Sequence, residues 1–382
     1  MPASTSQRRT KPKVRRNSDV IRIIATYLII LRHFVVFNTF DVWSQTLSIK
    51  KVVLEGIFYP SGKIGVVLFF LISAWFLCES PTSLKASFKR LWFLEREVLF
   101  YSIALFGFFC LFQHAQINTQ LVLNTIFPIS TNLWWYATSY AVFLILMPFF
   151  TKGLQTLGKQ THKACCLICI IMWSICGGIF NFISFDMPEQ NVLIFLYLYT
   201  LVSYWRWYIK DPIQTKISIL AITAGYAITT VSVIFLSFTN FGTQNDPSLQ
   251  GMLGRNEWML PVMLASFGTF ALFKEHHFVN KIINSIAKSM FAVYLITVYP
   301  LSSTLLWQKL FNISNIYNSR ALVPFIIIAG LFILTSCICI DYLRRWIFRI
   351  TIDCNKGRWF DYAWEKLHSI CRKTHITETN IP

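Results

Sequence analysis

A chain of 382 residues that is 55% hydrophobic and only 14% charged does not read as a soluble globular protein, which carries about 25% charged residues. Its net charge of +18 invites a polynucleotide partner, but that charge is distributed as membrane topology and anionic lipid require, so no nucleic acid is needed to explain it.

A basic tail over 1–18, with Arg8, Arg9, Lys11, Lys13, Arg15 and Arg16, precedes a first apolar stretch at 19–38. No small-residue cleavage site follows, so the stretch reads as a retained first helix and not as a signal peptide. A spanning helix needs about 20 apolar residues, and nine more candidates follow at 62–78, 92–113, 133–151, 164–184, 191–208, 216–238, 256–273, 288–307 and 321–343. The 62–78 stretch is the shortest. The connections 39–61 and 239–255 are too short for soluble domains, no repeat is evident, and 346–382 reads as a second basic tail. Stepping from span to span puts about 28 Lys and Arg on the side of the N-terminus, about 6 on the other side, and Arg32 inside a span; the rich side marks the cytoplasm. The expected fold class is all-α: a polytopic integral membrane protein of about ten transmembrane helices, in the plasma membrane, with both termini cytoplasmic. All ten cysteines fall in spans or cytoplasmic segments, where structural disulfides are not expected. The tight group Cys165, Cys166 and Cys169 has no His or second Cys pair nearby to complete a zinc site, and no metal is expected.

Burying an ionisable side chain in lipid costs at least about 2.5–3.5 kcal/mol, so intramembrane charge is where function is sought. His162, His276, His277, His368 and His375 fall in cytoplasmic segments and His114 at the outer end of the third span, which leaves His33 as the histidine well inside a helix. The first span runs from Asp19 through Arg22 and Thr26 to Arg32 and His33. Arg22 and His33 are eleven residues apart, which returns them to within about 20° of one face and separates them by about 16 Å along the axis. Asp19 and Thr26 lie close to the same face. An Arg at a helix end commonly snorkels, and a lone membrane His commonly hydrogen-bonds across helices; all of them on one helix favour function, with ion relay and catalysis both open. Arg32 has three candidate carboxylate partners: Asp41, Glu55 and Glu257.

At Arg22-(ten residues)-His33, preceded by Asp19, the sequence resembles the acyltransferase family 3 membrane proteins. Further resemblance lies in Gly65-Val-Val-Leu-Phe69-Phe70-Leu-Ile-Ser73-Ala74, in the basic residues Lys89, Arg90 and Arg96, in Leu133-Trp134-Trp135-Tyr136 with Tyr140 and Pro148, and in Ser289-Met-Phe-Ala-Val-Tyr294-Leu295. It covers about residues 17–340, with 19–345 as the transmembrane acyltransferase 3 domain. The chain departs from the family in having Ala74 where Ser-Gly is common, Thr297 where many members have a second His, a looser Arg90–Arg96 spacing, and Arg32 beside His33.

The resemblance implies an acyl-CoA donor, usually acetyl-CoA, arriving from the cytoplasm, with its phosphates clamped by Arg22, Lys89, Arg90 and Arg96. The pantetheine arm would thread along the first helix to His33. An imidazole with an ordinary pKa near 6.5 can serve as general base on an incoming hydroxyl or as a covalent acyl carrier; both stay open. The implied acceptor is a hydroxyl of a cell-surface carbohydrate or its lipid-linked precursor, approaching from the outer face toward Arg32, Ser73, Trp134, Trp135 and Tyr136. Trp43, Trp134, Trp135 and Trp307 also fit an aromatic belt at the membrane surface. The alternative function is a polysaccharide flippase, polymerase or secondary transporter, which would show internal repeats and helices broken by Gly or Pro; Gly177-Gly178 is the clearest such break.

Overall fold

A backbone shielded from water must satisfy its own N–H and C=O groups, so long apolar runs fold as helices. The structure, a computed structural model, describes residues 14–113, 117–178, 187–239, 247–275, 280–355 and 357–378, and these contain helices and no strand. Residues 1–13, His114, His276, His277 and the loop 240–246 lie outside the described residues, as do the side chains of Arg15, Arg16, His368 and His375. In chain order the main helices are α1 (Val14–Val36), α2 (Ile49–Leu77), α3 (Leu84–Phe112), α4 (Thr119–Ile126), α5 (Trp135–Thr156), α6 (Gly158–Gly177), α7 (Val192–Tyr208), α8 (Thr215–Ser237), α9 (Leu260–Glu275) and α10 (Lys281–Val298). They are followed by α11 (Pro300–Ser303, continued by a π turn at Thr304–Leu310), α12 (Leu322–Ile350) and α13 (Arg358–Glu378). Each of the ten apolar stretches overlaps a helix, with 179–184 of the fifth outside the described residues. By length and composition, six helices are able to cross a membrane: α2, α5, α6, α8, α10 and α12. Of the others, α1 and α3 are long but carry charge, and α7 and α9 have only 17 and 16 residues.

Two boundaries differ from the expectation. The stretch at 62–78 is the end of one of the longest helices, the 29-residue α2, and the supposed connection 49–61 is its first half. Ser48 caps it by accepting from the Lys51 amide, and Lys51 and Glu55, one turn apart at 3.8 Å, enter the interior as a pair. Charge at 50–55 therefore does not mark a loop. A π turn at Leu54–Phe58 precedes Pro60, in keeping with the amide that proline lacks. The stretch at 288–307 is likewise two helices, because Pro300 starts a new one after Tyr299.

α1 is the central element and packs against α2, α9, α10 and α12. Its contact with α2 is close. A Cβ on Gly65 would run into the Ala25 carbonyl, and one on Gly62 would overlap the Arg32 side chain. Small residues at such crossings let membrane helices approach. The outer faces of α8 and α12 expose large apolar side chains such as Leu220, Val231, Phe235, Ile328 and Phe332, as a lipid-facing surface requires.

Candidate functional site

The last turns of α1, the middle of α2 and the start of α5 wall a cavity of about 810 Å³, closed further by residues 189–190, 248–257 and α10. His33 lies in its wall and is buried. Its ring is held between Phe37, 4.8 Å away, and the edge of Trp307, 5.3 Å away. Nδ1 is buried with no hydrogen-bond partner among the described residues, so packing, not a carboxylate, sets the ring's orientation, and Nε2 is the nitrogen left for the cavity.

The charges around His33 occur in close pairs. Lys63 donates to Glu257 at 2.9 Å with both side chains buried, and Arg255 meets Glu189 at 3.1 Å nearer the surface. Arg32 takes none of its three candidate partners: its guanidinium donates to the Tyr59 carbonyl at 2.6 Å and lies 3.9 Å over the Tyr59 ring. Glu55 is with Lys51, Glu257 with Lys63, and Asp41 accepts from the Trp43 amide. Among the described residues, two non-glycine residues have left-handed backbone, Asn132 at φ 57° and Gln190 at φ 56°, and both line this cavity. Such conformations cost about 1–3 kcal/mol and gather at functional sites.

Beneath the cavity is a second, narrow one lined by Thr26, Phe69, Tyr136 and Phe291. The two share Ile29, Val66 and Tyr294 as wall residues. Past it lies Arg22, half-buried and 3.5 Å from Asp19. Ser73 donates to the Phe69 carbonyl at 3.4 Å. One stripe of α1 thus carries Arg22, Thr26 and His33 from one polar site to the other through a constriction.

The basic residues of α3 divide. Lys89 donates to Asp361 of α13 at 2.7 Å, and Arg96 meets Asp353 at 2.6 Å. The two are seven residues apart and share a helix face, while Arg90 stands about 100° round from Lys89. The structure therefore turns Arg90 off that face, where it approaches the Pro81 carbonyl at 3.4 Å, and places Lys89 and Arg96 against the C-terminal segment. Outside the spans, the Asp361 carboxyl is held below its ordinary range by the hydrogen bond from Lys89.

The tryptophans divide too. Trp135 and Trp43 line the cavity. Trp134 and Trp307 are fully buried and donate to the carbonyls of Leu295 and Thr297 at 3.0 and 3.2 Å, so neither forms a surface belt. Tyr136 is buried at the constriction, its backbone N–H donating to the Tyr294 hydroxyl at 3.3 Å. Lys63, Glu257, Glu189 and Arg255 were not singled out by the sequence reading, although Glu257 was among the candidate partners of Arg32. Lys63 sits between Gly62 and Ile64 of an apolar helix, and that intramembrane charge is the available signal. Among the described residues, no group of three or more His, Cys, Asp or Glu is placed to hold a metal.

An imidazole and a guanidinium with no carboxylate partner among the described residues thus line one polar cavity of this helical, apolar chain. A family model described as an acyltransferase domain matches residues 15–344. The chain belongs to acyltransferase family 3, and a membrane acyltransferase role follows. No curated protein and no solved structure matches the chain.

Proposed function

We propose that the protein transfers an acyl group, in the first place acetyl, from cytoplasmic acyl-CoA to a hydroxyl of a cell-surface carbohydrate or its lipid-linked precursor. In this reading all ten apolar helices cross the plasma membrane, both termini are cytoplasmic, Arg22 marks the inner mouth, and the His33 cavity opens outward. The observation that carries it is the polar cavity at His33, which shares Ile29, Val66 and Tyr294 with a small void of about 20 Å³ lined by Thr26, one turn of α1 from Arg22. Coenzyme A carries several phosphate charges and does not enter lipid, so Arg22 and Arg90 hold it at the mouth by charge-assisted bonds. The thin arm passes the constriction at Thr26, Phe69 and Tyr136, and the thioester meets His33. His33 Nε2 takes the proton of the acceptor hydroxyl as its oxygen attacks the acyl carbon. The acceptor lies in the polar cavity against Trp135, whose size is within the range that buries a small organic ligand. Mass spectrometry of surface glycans from cells with and without the protein tests this. A gain of ester-linked acyl groups is expected; unchanged esters with altered export of the glycan would instead favour a transporter.

A further inference from the structure

Arg32 is not needed to explain the fold, yet it is fixed in place with care. Its stem runs through a slot that exists because residue 62 is glycine. Tyr59 lies under the guanidinium at 3.9 Å and takes one donor from Nη1 through its carbonyl at 2.6 Å. A guanidinium has five N–H donors, so donors remain, and Arg32 lines the large cavity. Of the three cations in that wall, Lys63 and Arg255 are neutralised by Glu257 and Glu189. The third carboxylate, Asp41, caps Trp43 and acts electrostatically on Lys51. Among the described residues, then, no carboxylate pairs with Arg32, and its neutral carbonyl partner leaves its charge uncancelled beside His33 in the same wall.

Resting on the acyl-transfer reading above, we propose that Arg32 is a catalytic residue that stabilises the oxyanion formed on the acyl group. As the acceptor oxygen bonds to the thioester carbon, the carbonyl π pair moves onto its oxygen and the hydroxyl proton moves to His33 Nε2. Arg32 donates to that oxygen through the N–H groups that Tyr59 leaves free. Collapse re-forms the carbonyl, breaks the C–S bond, and the departing sulfur recovers the proton from His33, giving an ester and free coenzyme A thiol. Donors already fixed where charge develops need no reorganisation during reaction, which is why such groups are effective.

The test uses the full chain in lipid nanodiscs with acetyl-CoA alone, so that water is the acceptor and an unidentified sugar is not needed. Thiol release is followed by colour reaction and thermal melting is recorded in parallel. Arg32→Gln is expected to lower the saturated rate about 10²–10³-fold, with the acetyl-CoA KM and the melting temperature near those of the parent; Arg32→Lys should restore part of the rate. Release at the parental rate in Arg32→Gln would overturn the assignment, since a residue that only anchors a sugar does not affect transfer to water. So would a raised KM at unchanged saturated rate. If Arg32→Gln does not fold, Arg32→Lys is read by the same split between rate and KM. A parent protein that releases no more thiol than His33→Ala would overturn the acyl-transfer reading itself.

Discussion

The two ends of α1 are built on opposite plans. At the His33 end the polar groups are already fixed: buried Lys63 is paired with Glu257 at 2.9 Å, and Arg32 lies over the Tyr59 ring and donates to its carbonyl. The wall is held rigid enough to keep Asn132 and Gln190 in left-handed backbone. At the Arg22 end, the side chain is 32% exposed and meets the Asp19 carboxylate at 3.5 Å. Fixed polar groups suit a step in which charge develops at a set point, whereas a half-exposed cation suits a charged ligand that must bind and leave. The difference points to chemistry at one end of the helix and donor capture at the other.

The largest effect should come from removing the chemistry. His33→Ala is expected to abolish acyl transfer, by at least the about 10²–10⁴-fold that general-base removal costs, while the protein still inserts and melts normally. Transfer at the parental rate would break the comparison outright. Next is the rigidity of the same end. Glu257→Ala leaves Lys63 buried without its partner, and such a loss costs about 3–5 kcal/mol; a large drop in melting temperature is expected, whereas an unchanged melt would mean that the wall is not preorganised by this pair. At the other end the expected loss is of binding. Arg22→Ala and Arg90→Ala should each raise the acyl-CoA KM by about 10–100-fold, the equivalent of a charge-assisted hydrogen bond of about 1.5–3 kcal/mol, with little change in saturated rate. A rate defect without a KM defect would move these arginines out of the donor site.

Much of this plan was legible in the sequence, for physical reasons. Lipid demands long apolar runs, so every helix that carries one was visible, and a spacing of eleven residues is enough to align Arg22 with His33. What was hidden depends on partners far away in the chain. Lys51 and Glu55 looked like a polar connection because their mutual burial is a tertiary fact, and so the first half of α2 was missed. Trp134 and Trp135 look alike on paper, but neighbours on a helix point about 100° apart, and one enters the core while the other lines the cavity. The left-handed backbone of Asn132 and Gln190 has no pattern to announce it. Lys89 and Arg96 matched the basic segment of the family, yet their carboxylates lie at 361 and 353, more than 250 residues on.

Those last two residues give the smallest and sharpest prediction, because they share α3 with Arg90 and differ from it only in the face they occupy. Lys89→Ala should leave the acyl-CoA KM close to the parental value, against the large rise expected for Arg90→Ala. Its effect should instead be to loosen α13, read as faster proteolysis or hydrogen exchange over 358–367, where the ring contacts Phe88–Trp364 and Trp92–Phe360 remain to hold the helix in part. The pH response follows from Asp361, whose pKa is lowered in the folded protein. A carboxylate of that kind contributes stability above its ordinary pKa and loses it as pH falls through the lowered folded value. The contact is therefore insensitive to pH around neutrality and gives way only in acid. Salt is the stronger lever, since Lys89 and Asp361 are each about one-third exposed and surface pairs are screened within about 10 Å at 0.1 M ionic strength. If salt frees α13 while the acyl-CoA KM stays fixed, Lys89 belongs to the scaffold and Arg90 alone of the pair to the donor site; a KM that follows the release of α13 would mean instead that the C-terminal helix and the donor compete for Lys89.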